Sequence, residues 1–184
     1  MVRIAQAQTD EDLLGILTLQ QQNLAVQLSP EEAQEQGFVT IVHNLDVLRR
    51  MNDAAPHTIA KDGEQVVGYA LATLPQFRAD IPFLESLFER LDYLHWQGKP
   101  FQEVCYFIMG QVCVTKEYRG RGIFDQLYQG LRQFHAGQFE VVVTDISSRN
   151  ARSLRAHERI GFEVLQEFAV DGGEIWVIVG WGLK

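Results

Sequence analysis

The sequence predicts a single α/β domain, and three observations carry that expectation. Helical and strand patterns mix along the whole chain, without a linker, a repeat or a low-complexity tract. A length of 184 residues suits one domain, and a hydrophobic content of 46% is enough for a core. Two turn signals, Asp62-Gly63 and Asp171-Gly172-Gly173, each join a pair of β-rich runs.

Residues 2–7 form a short predicted strand. Thr9 stands three residues before Asp12, an acidic form of the capping box, and Leu13, Leu14, Leu17 and Leu24 follow at helical spacing. Ser29-Pro30-Glu31-Glu32 is a stronger helix start, and Gly37 interrupts the helix it opens. A further helical piece covers about 44–51, before Pro56. Strands at 57–61 and 65–73 make a hairpin, which Pro75 closes. Residues 79–93 carry Ile81, Leu84, Leu87, Phe88 and Leu91 on one helical face, and Gly98-Lys99-Pro100 ends that helix.

The second half begins with an apolar strand at 104–114 and a helix at about 123–134. Residues 139–146 include Val141-Val142-Val143, as expected of a strand buried on both faces. A helix at 150–160 has Asn150 as its cap and Gly161 as its stop. Strands at 162–170 and 174–181 complete the chain.

Sixteen basic against 24 acidic residues give a net charge of −8, which excludes general affinity for nucleic acid or anionic membranes. Any positive site must therefore be local. No apolar run approaches the roughly 20 residues that span a bilayer, and the first residues do not open a signal region. Cys105 and Cys113 fall on one predicted strand and form no metal-like cluster. The expectation is a reduced, cytoplasmic protein without a metal.

Two stretches carry chemistry. Arg119-Gly120-Arg121-Gly122-Ile123-Phe124 joins a strand to a helix start. First-turn N–H groups lack intrahelical partners, the macrodipole adds partial positive charge, and glycines let an anion approach the backbone. No Gly-Lys-Ser/Thr follows, and the third glycine of a dinucleotide fingerprint is missing. Lys116, Arg119 and Arg121 add local charge that suits a polyanionic group such as a pyrophosphate. In the second stretch Asn150, Ser153 and His157 share one helix face, while Arg149, Arg152, Arg155 and Arg159 fall mostly on the opposite, solvated side.

Together these stretches resemble the GNAT superfamily of acyl-CoA-dependent N-acyltransferases. Val112-Cys113-Val114 through Tyr118-Arg119-Gly120-Arg121-Gly122-Ile123 is similar to its Q/R-x-x-G-x-G/A motif. Asn150-x-x-Ser153-x-x-x-His157-Glu158-x-x-Gly161-Phe162 is similar to its asparagine-helix-Gly-Phe signature. The strong match covers about 104–162, and element order extends it over nearly the whole chain.

The resemblance implies one domain over 1–184, with a mixed, mostly antiparallel sheet of about seven strands and helices on both faces. It implies acetyl-CoA as co-substrate, held by backbone N–H groups from Arg119 to Phe124 and by the backbone around Val112, Cys113 and Val114. A splay between the strands at 104–114 and 139–146 would admit the pantetheine arm, with Asn150 and Ser153 beside it. The expected reaction is direct attack of a primary amine, on a small molecule or peptide, upon the acetyl carbonyl. Positioning and backbone donors would supply most of the rate gain. Dimers are common in the family, which leaves a homodimer open. A non-catalytic acyl-CoA-binding module with the same fold is the alternative.

Three positions depart from the family pattern. Phe124 stands where glycine or alanine is common, so its side chain must turn away from the cofactor. Lys116 replaces a frequent proline. His157 stands where many members place a tyrosine, and it is the candidate general acid for the leaving thiolate. Glu103, Asp145 and a bound water remain open as the base. A helical insertion at about 75–101, with Phe77, Phe83, Phe88, Tyr93 and Trp96, either walls the acceptor site or extends the core, and the core reading is favoured for most of these aromatics.

Overall fold

The computed structural model describes residues 1–24, 42–170 and 172–184. The predicted helix start at Ser29 and its interruption at Gly37 lie outside these residues. The described chain groups into two compact units, Met1–Thr73 with Gly110–Phe134, and Leu74–Met109 with His135–Lys184.

In the first unit, β1 (Val2–Gln6), β2 (Thr58–Asp62) and β3 (Gln65–Thr73) run antiparallel in that order. The hairpin turn sits where the sequence places it, with Gly63 and Glu64 between the paired Asp62 and Gln65, and a bulge interrupts the β2–β3 register between Ala60 and Lys61. Helix α1 (Asp10–Gln22) begins at the expected capping box, in which Thr9 accepts from Asp12 N while the Asp12 side chain accepts from Thr9 N. Helix α2 (Leu45–Ala54) is capped by Asn44, which accepts from Asp46 N. Ile16 and Leu19 of α1 and Leu48 of α2 share one buried cluster with Ile59, Tyr69, Leu71 and Cys113.

Helix α4 (Ile123–His135) covers the other face. Successive strand residues point to opposite sides. Tyr69 joins the α1–α2 cluster, whereas a Cβ on Gly68 would meet Leu127 of α4 at 3.4 Å. At Gly130 the approach is closer still, because a Cβ there would run into Ile4 Cγ2.

Strand β6 (Tyr106–Val114) contributes to both units. In the second unit its residues Tyr106–Ile108 pair in parallel with Val141–Val143 of β7 (Val141–Ser147). Strand β9 (Ile175–Gly182) runs antiparallel between β7 and β8 (Glu163–Ala169). The hydrogen-bonded order is therefore β1-β2-β3-β6-β7-β9-β8, a seven-stranded, mostly antiparallel sheet. Val141, Val142 and Val143 are fully buried, as their apolar run predicts. Helix α5 (Ala151–Ile160) has Asn150 as its N-cap and Gly161, at φ +112°, as its left-handed stop.

The segment 75–101 differs from the single helix expected at 79–93. It folds as two 3₁₀ turns, Pro75–Asp80 and Pro82–Leu84, then a short α3 (Glu85–Leu91) and a small hairpin of β4 (His95–Trp96) and β5 (Lys99–Pro100). Pro82 lacks an amide hydrogen and its ring crowds the preceding turn, so a helix begun at residue 79 cannot run through it. In place of the expected stop at Gly98-Lys99-Pro100, Gln97 at φ 49° and Gly98 at φ 84° make the hairpin turn and Lys99-Pro100 is its second strand. Phe77, Phe88 and Trp96 are buried, as the core reading expects, whereas Phe83 and Tyr93 are exposed.

Candidate active site

The glycine loop lies wholly in the first unit. After β6 a 3₁₀ turn (Lys116–Tyr118) leads to Arg119, and helix α4 opens at Ile123. Gly120 and Gly122 adopt φ of +73° and +74°, a conformation that side-chain-bearing residues rarely take. A Cβ on Gly120 would meet nothing within 4 Å, and one on Gly122 only Gln126 Nε2 at 3.9 Å. The loop thus presents open backbone beside the first turn of a 13-residue helix, whose N–H groups have no intrahelical carbonyl. Open backbone N–H groups at a helix start are the kind of donors that anions bind.

The side chains of the loop are occupied differently from its backbone. Arg119 donates through Nε to Val114 O at 2.9 Å and through Nη2 to Asn23 Oδ1 at 3.0 Å, so its guanidinium ties the loop to the strand. Its own N–H bonds Lys116 O at 3.3 Å. Backbone donors for an anion therefore start at Gly120. Arg121 lies over the Tyr118 ring, 5.0 Å from its centroid, and Lys116 is exposed. The Phe124 ring packs on Tyr128 one turn further along, with centroids 5.0 Å apart.

Val112 and Val114 are half-buried on β6, and Cys113 is buried between them. Burial pushes the Cys113 thiol up to about 11, outweighing Arg119, so it is an inert group rather than a nucleophile. The ladder between β6 and β7 covers only Tyr106–Ile108 and Val141–Val143, although both strands continue beyond it.

The second unit holds the asparagine helix. Asn150 Oδ1 accepts from Ser153 N at 3.0 Å, so this side chain caps α5. His157 is buried at 2% exposure, and its Nδ1 lies 2.8 Å from Ser153 O and 3.3 Å from Ser153 Oγ. A carbonyl oxygen can only accept, so Nδ1 carries the proton of the neutral ring. Burial lowers the His157 pKa to about 4, against the opposing pull of the Ser153 carbonyl. The ring meets Phe162 edge to face at 5.0 Å, and Phe162 stacks on Trp181 at 5.8 Å. Asn150, Ser153 and His157 thus lie together along one side of α5, as the spacing predicts.

The two carboxylate candidates separate. Glu103 is exposed in a 3₁₀ turn ahead of β6, before the residues that pair with Val141–Val143. Asp145 lies beyond that ladder on β7, paired with Ile178 of β9. Parallel register places them towards opposite ends of the β6–β7 ladder, so one reaction centre cannot use both. Burial raises the Asp145 pKa to about 6, and no cation pairs with it among the described residues. A pocket near Glu103 is lined by Pro75, Asp92, Phe101, Gln102, Val104 and Tyr106. Burial, reinforced by Asp92, pushes the Tyr106 phenol up to about 12.

The sequence reading did not single out a polar cluster between α1 and β6. Gln20 of α1, at 0% exposure, bonds His43 and Gln111, and Tyr69 bonds Gln111 as well. Its one local signal is a glutamine at 111 between the buried Met109 and Cys113.

The profile of the acetyltransferase (GNAT) family matches residues 20–162. The ribosomal-protein-S18-alanine N-acetyltransferase of Escherichia coli is similar in fold at 12% identity, with a TM-score of 0.62 over 100% of this chain and 95% of that one. The yncA protein of Salmonella typhimurium, solved with its cofactor acetyl-CoA, is 19% identical, with a TM-score of 0.63 over 100% of this chain and 94% of that one. An N-acetyltransferase from Staphylococcus aureus Mu50 is 17% identical, with a TM-score of 0.61 over 100% and 99% of the two chains. Among curated proteins none matches in sequence. No helix among the described residues is long and apolar enough to cross a membrane, and no group of metal-ligating side chains occurs among them. With a family profile that matches most of its length, the chain belongs to the GNAT acetyltransferase family.

Proposed function

We propose that the protein transfers an acetyl group from acetyl-CoA to a primary amine by direct attack, as one acetyltransferase domain over 1–184. The observation that carries this reading is the Gly120–Gly122 loop, open backbone in left-handed geometry at the head of α4. In this reading N–H groups from Gly120 to Phe124 take the pyrophosphate, and Arg119 fixes the loop from behind. The edge of β6 around Val112, Cys113 and Val114, past the short β6–β7 ladder, offers N–H and C=O groups to the pantetheine arm. Asn150 and Ser153 contribute polar groups from the start of α5.

Acetyl-CoA supplies an activated thioester with a fair leaving group. An inert Cys113 favours direct transfer over an acyl-enzyme at that position. Of the two carboxylates, this reading takes Asp145 as the base for the amine proton, because a pKa near 6 leaves it ionised yet basic at neutral pH. His157 stands as the acid for the thiolate, and its environment sets a condition on that role. With a pKa near 4, only about one ring in a thousand is imidazolium at pH 7. The thiolate therefore leaves largely unassisted unless bound substrate raises that pKa. The acceptor is a small molecule or a peptide amine.

Thiol release from acetyl-CoA across a panel of amines, beside a thermal shift with CoA, tests the reading. Release with at least one amine and a CoA-dependent rise in melting temperature are expected. A shift without turnover on any amine would leave the acyl-CoA-binding module, and no shift at all would overturn both.

A further inference from the structure

The hydrogen bonds of the Gln20 cluster have only one consistent direction. The His43 backbone N–H must donate, so the Gln20 atom 2.8 Å from it is the oxygen Oε1. Gln20 Nε2 then faces His43 Nδ1 at 2.9 Å and Gln111 Oε1 at 2.8 Å, one hydrogen for each. Gln111 Oε1 accepts again from the Tyr69 hydroxyl at 2.7 Å. Because Gln20 Nε2 can only donate, His43 Nδ1 must accept, and the neutral ring carries its proton on Nε2. Burial keeps the ring neutral, with its pKa lowered to about 4. His43 is half-buried, and its Nε2–H meets no acceptor among the described residues.

A locked tautomer with one outward donor is more than α1 needs in order to pack. The Ile16, Leu19 and Tyr69 cluster already seats the helix. Gln111 directly precedes Val112, on the strand proposed to carry the pantetheine arm, so a ligand at that strand lies within reach of this cluster. Gln20, Gln111 and Tyr69 are all uncharged, which suits recognition of a substrate oxygen rather than pairing with an ammonium.

We propose that His43 is a specificity-determining residue of the acceptor site, donating from Nε2 to a carbonyl or carboxylate oxygen carried by the amine. The protein would then prefer amines of amino-acid or peptide type over plain alkylamines. This rests on the acetyl-transfer reading. Sites built around a hydrogen bond reject analogues that lack the partner more strongly than apolar pockets reject a missing methylene.

The test pairs each oxygen-bearing amine with an alkylamine of similar size, beginning with alaninamide and isobutylamine, and measures thiol release per concentration of unprotonated amine. The wild type should favour alaninamide by at least about tenfold in kcat/KM, the scale of one well-placed hydrogen bond. His43→Ala should erase that preference by raising the KM for alaninamide, leaving the KM for acetyl-CoA and turnover of isobutylamine unchanged. His43→Gln, which keeps a donor near the same point, should restore most of the preference. Equal losses on both amines, losses that follow the melting temperature, or a wild type without preference would overturn the inference while leaving acetyl transfer intact. Absence of thiol release with every pair would overturn both.

Discussion

The glycine loop and the asparagine helix present their polar groups in opposite ways. At the loop the backbone is offered outward, and Arg119 spends its side chain on Val114 and Asn23. On α5 it is the side chains of Asn150, Ser153 and His157 that are polar along one side, and Gly161 closes the helix behind them. A backbone site tolerates changed side chains but not changed dihedral angles. A side-chain site has the reverse sensitivity.

The largest effect should follow from Gly122→Val. At φ +74° a β-branched residue costs about 1–2 kcal/mol, and the strain is relieved by rotating the cradle. Loss of two charge-assisted hydrogen bonds corresponds to about a hundredfold weaker acetyl-CoA binding, measurable by calorimetry. An affinity within threefold of wild type would show that the loop does not hold the pyrophosphate. Asn150→Ala comes next. It removes the cap on Ser153 N, at about 1 kcal/mol of stability, and should raise the KM for acetyl-CoA about five- to tenfold. A stability loss with an unchanged KM would reduce Asn150 to a cap.

Smaller, but more diagnostic, is the pH response of the second unit. Folded Asp145 titrates near 6, above the usual aspartate value near 4, so between these limits the folded chain binds the extra proton. Its contribution to stability therefore falls as pH rises from about 4 to about 6, and is constant above that. His157 works the other way, because its folded pKa is near 4 and its unfolded one near 6.5. Stability from His157 is full above about 6.5 and is lost as pH falls towards 4. Asp145→Asn should leave the His157 term unopposed, and urea midpoints should then drop more steeply on acidification than in the wild type. A parallel pH profile would place Asp145 in a more hydrated setting. The smallest effect on binding should come from Arg119→Lys. An ammonium cannot span Val114 O and Asn23 Oδ1 as the planar fork does, so about 1 kcal/mol of stability goes, while the KM for acetyl-CoA stays within about twofold. A hundredfold rise in KM would place the guanidinium on the phosphate and dissolve the contrast.

Sequence reasoning found what local chemistry encodes. The Thr9–Asp12 capping box, the Asp62-Gly63 hairpin and the Gly161 stop depend on residues within a few positions of one another, and the structure shows each of them. At 79–93 the apolar spacing was right for one face, yet it was outweighed by the missing amide of Pro82. Both site motifs were visible because each is contiguous. The Gln20–Gln111 bond joins residues 91 apart, and a glutamine in a β-rich run shows nothing of its partner. The protonation states of His157 and His43 were hidden as well. They depend on burial and on which nitrogen meets a carbonyl or an amide, and neither is written in residue order.

The division of β6 between two compact units has a consequence for how the protein is made. Each unit is assembled from two separated stretches of chain, and the stretches interleave. On the ribosome, α1 and the β2–β3 hairpin can form early from local contacts, but the first unit gains its last strand and helix only when residues up to Phe134 have emerged. Until then the β3 edge that awaits β6 stays open, and the half-finished second unit, at 74–109, waits for β7, β8 and β9, which are still to be synthesised. Nascent chains stalled when residues up to just short of 134 have emerged should therefore be the form most vulnerable to strand-edge aggregation and most in need of a chaperone.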